Sequence, residues 1–266
     1  MHHPIRPLGP RLTFADLTAI TEQPITLLGV WAHPDDEAYL SAVTMNRVVN
    51  AGGRVVLATA TRGALGGDAT DPRLLAELRD RELHAAMSNL GVDDVRFLGY
   101  ADGECADAEF GEAVRSIAEL IEDVQPDVIV TFGPDGITHH PDHIAVSGWT
   151  TAAAAAVGHQ GLLYATMTDE FARQHDDLHT TLGVWMGGEP CPVPAEDLAL
   201  HIVPTRRERE LKGRVLRAHS SQISGLIEMI GAEAFDDWWV DEFFRRPTAA
   251  EFVTEHRVGA GSWLTI

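Results

Sequence analysis

The sequence predicts an α/β protein in three layers, with a mainly parallel sheet covered by helices on both faces and a C-terminal elaboration. Three observations predict this fold class. Short runs of Val, Ile and Leu alternate with longer segments of helical periodicity, and such alternation favours a parallel sheet. The runs are apolar at successive positions, which is typical of strands buried on both faces. Gly and Pro bound the helical segments, and these residues mark helix ends.

Five apolar runs are the predicted strands. The first reads ITLLGVWA and the fourth reads DVIVTF. Runs of this length suit strands better than helices. The predicted strands are residues 25–32, 54–61, 95–100, 127–132 and 162–167.

Four helices are predicted between these strands. The second shows the boundary signals most clearly, because it begins after Asp71, a good N-cap residue, with Pro72 in its first turn. It ends at Gly91, a typical C-terminal residue. The predicted helices are residues 38–51, 72–90, 110–124 and 143–158.

The alternation weakens beyond about residue 168. The elements predicted there are a strand within 179–190, a strand at 200–204, a helix at 206–224 and a polar, aromatic tail from residue 235. No repeat or linker marks a boundary. We therefore predict one domain of residues 1–266, with a core of about 25–170 and an elaboration of about 171–266.

The net charge is strongly negative, with 40 acidic against 20 basic side chains. Such a surface repels phosphate backbones and anionic lipid headgroups, so neither nucleic acid nor a membrane is expected as a partner. No run of 18 apolar residues is present, and the N-terminal segment lacks the apolar stretch of a signal peptide. Cys105 and Cys191 are expected as free thiols, with one bridge as the alternative. The expected location is cytoplasmic.

Two polar clusters follow predicted strands. HPDDE at 33–37 comes after the first strand, and GPDGITHHPDH at 133–143 comes after the fourth. Ligands of doubly wound sheets bind outside the carboxyl ends of the strands. Both clusters occupy that edge, so we expect them to converge although about a hundred residues separate them.

The residue types in the two clusters indicate a divalent metal. Imidazole nitrogen and carboxylate oxygen suit Zn²⁺, and a catalytic zinc keeps about three protein ligands. His33, Asp36 and His143 supply such a set and leave a further carboxylate to act on water. Fe²⁺ is an alternative metal, whereas Mg²⁺ prefers oxygen ligands. Without a metal, HPDDE would be an acidic helix N-terminus and HPDH a solvated loop.

The order of the motifs resembles that of a known family. AHPDDE is followed by TATRGALGG, LRDRELHAAMSNLGV, YADG and GIT-x-HPDH, and KGRVLRAHSSQ comes later. This series is similar to that of the LmbE-like (PIG-L) zinc de-N-acetylases over roughly residues 25–150. The resemblance implies a Rossmann-like fold. It also implies a metal-dependent hydrolase that removes an N-acetyl group from a glucosamine-containing small-molecule conjugate.

The resemblance further implies roles for the residues of the two clusters. The implied metal ligands are His33, Asp36 and His143, the same residues that ligand chemistry selects. Asp35 is implied to be the general base. His140 is implied to assist the tetrahedral intermediate and the leaving group, with Asp142 orienting it.

Residues outside the two HPD motifs are implied to bind the substrate. Arg79 and Asp102 match positions that contact the sugar, with Arg81 as a competing match for the arginine. Thr138 stands where some members carry a Tyr that binds the oxyanion. The oxyanion donor is therefore left open.

Two other functions stay open at this point. One is an amidase that cleaves a larger, cysteinyl-type acyl group from a glucosaminyl-inositol conjugate. The other is a non-catalytic sugar- or nucleotide-binding Rossmann module, although TRGALGG lacks the spacing of a dinucleotide fingerprint. The large apolar side chains of the C-terminal third fit a substrate pocket, a plain core or a homo-oligomer contact equally well. They are Trp185, Met186, Trp238, Trp239, Phe243 and Phe244.

Overall fold

A computed structural model describes residues 24–67 and 71–252, and a sheet lies at the centre of this part of the chain. Its strands are β1 (Thr26–Trp31), β2 (Arg54–Thr59), β3 (Asp94–Phe97), β4 (Val128–Phe132), β5 (Leu162–Thr166), β6 (Leu200–Ile202) and β7 (Glu242–Arg245). They lie in the order β3-β2-β1-β4-β5-β7-β6. Strands β1 to β5 pair in parallel, whereas β7 runs antiparallel to β5 and to β6. The predicted fold class is confirmed.

Helices connect and cover these strands. They are α1 (Asp36–Leu40), α2 (Ala42–Asn50), α3 (Pro72–Leu90), α4 (Phe110–Val124), α5 (Pro141–Ala156), α6 (Asp169–Gln174), α7 (Asp176–Leu182), α8 (Arg206–Ala218), α9 (Ser220–Ile230) and α10 (Ala232–Asp237). The signals predicted for α3 are present, because Asp71 caps its first turn and Gly91 ends it with a φ of 76°.

The topology reverses between β1 and β4. From β1 the chain builds the sheet outward through β2 and β3, and it then returns to add β4 and β5 on the other side. At this junction Trp31 packs edge-to-face on Phe132, with ring centroids 4.9 Å apart. The loops that leave β1 and β4 therefore diverge above a common crevice, where open α/β sheets bind their ligands.

The helix predicted at 38–51 is divided in two. Its backbone leaves helical dihedrals at Ser41, where φ is −149°. The backbone N–H groups of Val43 and Thr44 donate to the carboxylate of Glu242 at 2.8 and 2.9 Å. A cap that comes from the distant strand β7 thus starts a new helix, and local periodicity carries no sign of it.

The C-terminal third differs most from the prediction. The strand predicted within 179–190 is wrong, because α7 ends there in a turn at Gly183, whose φ is 63°. The helix predicted at 206–224 is interrupted at His219. The strand predicted at 200–204 is confirmed as β6, whereas β7 was assigned only to a polar, aromatic tail.

Both cysteines lie within the described residues. Cys105 is buried and Cys191 is exposed, and both are free, as expected. Across the described residues, none of the helices has the length and apolar character that crossing a membrane requires.

Candidate functional site

The loop after β1 carries the first polar cluster. The backbone N–H of His33 donates to Asp36 Oδ2 at 2.7 Å, which closes the turn between strand and helix. Asp36 opens α1, and a carboxylate is favourable at a helix N-terminus. Both residues are 8% exposed. The turn therefore holds one imidazole and one carboxylate side by side, buried at the end of β1.

The loop after β4 supplies the second imidazole. His143 lies in the first turn of α5 and stacks on Phe132, with ring centroids 4.1 Å apart. Its Nδ1 lies 3.0 Å from the carbonyl oxygen of Gly136, so this nitrogen carries the proton. Burial and the nearby His33 lower the pKa of His143 well below its ordinary value. The ring is therefore neutral and presents the lone pair of Nε2.

The orientation of His33 is set by two carboxylates. Its Nε2 lies 3.0 Å from Asp102 Oδ1 and 3.1 Å from Asp142 Oδ2. Burial lowers the pKa of His33, but these hydrogen bonds raise it to about 10. The carboxylates thus place a proton on Nε2 and favour further positive charge at the ring. Carboxylate–histidine pairs orient metal ligands in this way.

His33, Asp36 and His143 bring two imidazole nitrogens and a carboxylate together. His33 Nδ1 lies 3.3 Å from His143 Nε2 and 3.7 Å from Asp36 Oδ2, and His143 Nε2 lies 3.4 Å from Asp36 Oδ1. Asp36 thus approaches the two imidazoles with different oxygens. Neighbouring donors of tetrahedral zinc are about 3.3–3.4 Å apart, so the two nitrogens have this spacing, and the donor types suit Zn²⁺.

Two wider groups of side chains share His33 with this set. The donor atoms of His33, His140 and His143 lie within 4.8 Å of one another, as do those of His33, Asp102 and Asp142. The second group is on the Nε2 side of His33, where the proton lies. His33 Nδ1 and His143 Nε2, the nitrogens that face away from these carboxylates and from Gly136, come together beside Asp36.

Asp142 is placed differently from the expectation that it orients His140. Its carboxylate is fully buried, and besides His33 it accepts the backbone N–H groups of Gly103 at 2.8 Å and Cys105 at 3.1 Å. Its contact with His140 runs through the backbone, because the N–H of Asp142 donates to His140 Nδ1 at 3.1 Å. The carboxylate therefore orients His33.

His140 caps the N-terminus of α5 beside His33 and His143. Its ring centroid lies 4.7 Å from that of His33 and 4.9 Å from that of His143. Burial and the neighbouring His33 lower its pKa, although Asp142 opposes them. Since Nδ1 accepts a hydrogen bond, the neutral ring carries its proton on Nε2 and is a donor there.

Asp35 lies next to His33, Asp36 and His143 in an unusual backbone conformation. Its φ is 122°, in the region that non-glycine residues rarely adopt. Burial raises the pKa of its carboxyl to about 6, although the guanidinium of Arg79 lowers it. A carboxylate with such a pKa is suited to accept a proton near neutral pH.

Arg79 lies beneath this loop, on α3. Its Nη2 donates to the carbonyl of Pro34 at 2.6 Å and to Asp35 Oδ2 at 3.3 Å, and its Nη1 donates to the carbonyl of Gly63 at 3.2 Å. The side chain is only 5% exposed. A Cβ at Gly63 would lie 2.4 Å from the guanidinium, so glycine is needed there. In this position Arg79 supports Asp35.

A cavity of about 200 Å³ opens beside Asp36 and His143. Asp35, Asp36 and His143 form one wall, and Thr138 lies next to them. The remaining walls are mostly apolar and consist of Tyr39, Leu40, Phe132, Ile137, Val184, Trp238 and Trp239.

The expected lining residues are thus brought together only in part. Trp238 and Trp239 line this cavity, and the indole N–H of Trp238 donates to His179 Nε2 at 2.9 Å. Phe244 is fully buried in the core and Phe243 faces a different cavity.

Sequence reasoning missed a buried pair behind Asp35. Glu37 and His219 are both 0% exposed, and Glu37 Oε1 lies 2.9 Å from His219 Nε2. The other oxygen of Glu37 accepts the backbone N–H of Asp35 at 3.0 Å. The one available signal was the HSSQ segment at 219–222, a polar stretch after a basic helix.

Sequence comparisons agree with this geometry. The family description PIG-L, GlcNAc-PI de-N-acetylase, matches residues 28–154. The 1D-myo-inositol 2-acetamido-2-deoxy-alpha-D-glucopyranoside deacetylase of Mycolicibacterium vanbaalenii is 34% identical over 235 residues, 74% of this chain and 81% of that protein. Its counterpart in Kineococcus radiotolerans is 40% identical over 174 residues, 53% of this chain and 48% of that protein. The chain thus spans about half the length of the Kineococcus relative.

Solved structures of similar fold include deacetylases. An N,N'-diacetylchitobiose deacetylase from Pyrococcus horikoshii has a TM-score of 0.58 and 21% identity, with 83% of this chain and 82% of that chain covered. A teicoplanin deacetylase in a zinc-inhibited form has a TM-score of 0.58 and 16% identity, with 79% and 90% covered. At these identities the likeness concerns the fold. Together with the sequence relatives, it leads to one conclusion: the chain belongs to the PIG-L (GlcNAc-PI de-N-acetylase) family.

Proposed function

We propose that the chain is a zinc-dependent hydrolase that removes the N-acetyl group from a glucosamine-containing small-molecule conjugate. The observation that carries the proposal is the meeting of His33, Asp36 and His143, whose donor atoms approach one another at 3.3–3.7 Å. The carboxylate of Asp35 lies beside them in the wall of the same cavity. The names of the relatives, which are deacetylases of a glucosaminyl-inositol, support the substrate class.

His33, Asp36 and His143 would hold the metal. Zn²⁺ fits this mixed nitrogen and oxygen donor set, and Fe²⁺ is the alternative. When bound, zinc lowers the pKa of water to about 7 and polarises a carbonyl. Asp102 and Asp142 supply the negative charge that supports a cation at His33.

Asp35 takes the proton of the attacking water in this proposal. Its raised pKa suits a general base that works near neutral pH. Arg79 holds the carboxylate from below at 3.3 Å. The loop therefore presents a base that is aligned before the substrate arrives.

His140 is placed to hydrogen-bond the reacting group. As a neutral ring with its proton on Nε2, it donates a hydrogen bond toward the oxyanion of the tetrahedral intermediate and keeps that proton. The leaving amine receives the proton that Asp35 took from the attacking water. The backbone N–H of Asp142 fixes the ring by donating to Nδ1 at 3.1 Å. His140 thus has a catalytic role and does not bind the metal.

Replacing His140 with alanine is expected to lower kcat by about 10²-fold, the lower range for a lost hydrogen-bond donor to an oxyanion. Zinc content should stay near one ion per chain, because the donors of His33, Asp36 and His143 are unchanged. Metal analysis and amine-release kinetics measure the two effects. His201→Ala is the control, because His201 pairs with Asp241 at the surface. A large loss of zinc from His140→Ala would instead make His140 a ligand.

A larger acyl group is the second candidate for the group that is removed, and the cavity has room for it. At about 30 Å³ for each water-sized group, its volume of about 200 Å³ exceeds what an acetyl methyl fills. An amidase that acts on a cysteinyl-type glucosaminyl-inositol conjugate would use the same metal ligands and the same base.

A panel of glucosaminyl-inositols with N-acetyl, N-butanoyl and N-cysteinyl groups tests both candidates. We expect the zinc-loaded protein to release amine fastest from the N-acetyl compound, to lose this activity with a chelator and to regain it with zinc. Fastest release from the N-cysteinyl compound would establish the amidase. If the zinc-loaded protein releases no amine from any compound, the hydrolase proposal is wrong and a binding module is the better description.

The proposed partners and location follow from the same considerations. The substrate is a small amino-sugar conjugate, and the negative charge of −20 disfavours phosphate-rich surfaces. The free thiols of Cys105 and Cys191 support a reducing, cytoplasmic compartment.

A further inference from the structure

The pair formed by Glu37 and His219 joins two distant parts of the chain. The residues are 182 positions apart, and Glu37 Oε1 lies 2.9 Å from His219 Nε2. Both side chains are 0% exposed. Buried ionisable groups are stable only when they are paired and hydrogen-bonded. Glu37 therefore depends on His219 for its place in the core.

The second oxygen of Glu37 acts on the backbone of Asp35. Glu37 Oε2 accepts the N–H of Asp35 at 3.0 Å. Asp35 has a φ of 122° and a ψ of −26°, a conformation that persists only when its surroundings enforce it. The hydrogen bond from Glu37 is one such constraint, and it disappears if Glu37 rotates.

One of the two ring nitrogens of His219, Nε2, forms a hydrogen bond. The other nitrogen, Nδ1, is buried and makes no hydrogen bond within the described part of the chain, so the hydrogen bond of the ring goes to Glu37. The ring sits at the junction of α8 and α9. The junction is itself held in place, because Ser220 Oγ and Ser221 Oγ donate to the carboxylate of Glu82 at 2.7 and 2.6 Å.

The two supports of Asp35 come from one helix. Glu82 lies on α3 three residues after Arg79, and both are buried. Arg79 contacts the carboxylate of Asp35 directly, whereas Glu82 holds the segment from which His219 reaches Glu37. The side chain and the backbone of Asp35 are thus constrained from separate directions.

We propose that His219 is a positioning residue which, through Glu37, holds Asp35 in the backbone conformation that its role as general base requires. This inference rests on the proposed function. It assigns the HSSQ segment at 219–222 to the active site, although the segment contributes no side chain to the wall of the cavity.

Two substitutions that differ by one methylene test the proposal. Glutamine at 219 extends an N–H donor about as far as Nε2 of histidine, whereas asparagine stops near the position of Nδ1. In zinc-loaded protein, His219→Asn is expected to lower kcat by about 10²-fold, as loss of an aligned base does, with KM within about twofold and zinc content unchanged. His219→Gln should restore kcat to within about fivefold of the original.

Lys212→Met is the matched control. Lys212 lies on α8, the helix that ends just before His219. It forms another buried pair, with Glu242 at 3.1 Å, in which the Lys212 side chain is 3% exposed and the Glu242 side chain 0%. Its loss should lower Tm as much as His219→Asn does and leave kcat unchanged. Equal kcat values for His219→Asn and Lys212→Met, or equal loss of activity in the Asn and Gln variants, would overturn the positioning role. Loss of zinc in His219→Asn would also overturn it, because the pair would then act on Asp36.

A crystal structure of His219→Asn gives a readout that does not depend on activity. We expect the φ of Asp35 to leave the region near 122° and the hydrogen bond from its N–H to Glu37 to break. An unchanged φ would refute the proposal even if kcat falls. If the unsubstituted protein binds zinc but hydrolyses no amide, the proposed function fails, and this structure still decides whether His219 holds Asp35.

Discussion

Asp35→Asn is expected to keep its zinc and to lose about 10³-fold in kcat, within the range that a general base contributes. Asparagine has nearly the same shape and tolerates positive φ better than most residues, so the loop should keep its conformation at φ 122°. The amide of asparagine cannot accept the proton of the attacking water. Metal analysis and amine-release kinetics on the same preparation separate the two effects.

Asp93→Asn is the control for this substitution, because Asp93 lies exposed in the loop before β3. This variant should match the original protein in both zinc content and kcat. Full activity of Asp35→Asn would remove the proposed base. Loss of zinc would show that Asp35 belongs to the ligand set.

His33→Ala is expected to lose both the metal and the activity. The substitution removes one of three donors and leaves Asp102 and Asp142 without the imidazole that they share. Since outer-shell changes alone cost about 10–100-fold in metal affinity, we expect zinc affinity to fall by more than about 100-fold. Zinc titration measures the affinity, and amine release should fall below detection at equal zinc.

The comparison between the two variants tests how the roles divide within HPDDE. His84→Ala is a suitable control for His33→Ala, because His84 is exposed on α3 and its Nδ1 contacts Asp80, one turn earlier in the same helix. If His33→Ala binds zinc as tightly as the original protein, the ligand set would have to be sought in the other combinations of nearby donors.

The convergence of the two polar clusters was predictable because it depends on topology alone. β1 and β4 are neighbours in any doubly wound sheet that reverses after β3, so their carboxyl ends meet at the same edge. His33 and His143 are brought to 3.3 Å by this arrangement. The strands could be predicted for a similar reason, since burial on both faces leaves continuous apolar runs.

The features that escaped prediction depend on contacts between distant residues. The division of the helix at Ser41 follows from a cap supplied by Glu242, 199 positions away from Val43. The carboxylate of Asp142 binds His33 because the backbone of Gly103 and Cys105 turns toward it. No local pattern encodes such contacts.

The cap supplied by Glu242 affects how the protein is made. A chain that leaves the ribosome from its N-terminus exposes the segment of α2 long before residue 242 is synthesised. Until then the backbone N–H groups of Val43 and Thr44 lack the carboxylate that receives them. Helix α2 is consequently completed late in translation, because a nascent chain that stops short of β7 lacks the carboxylate that caps the start of this helix.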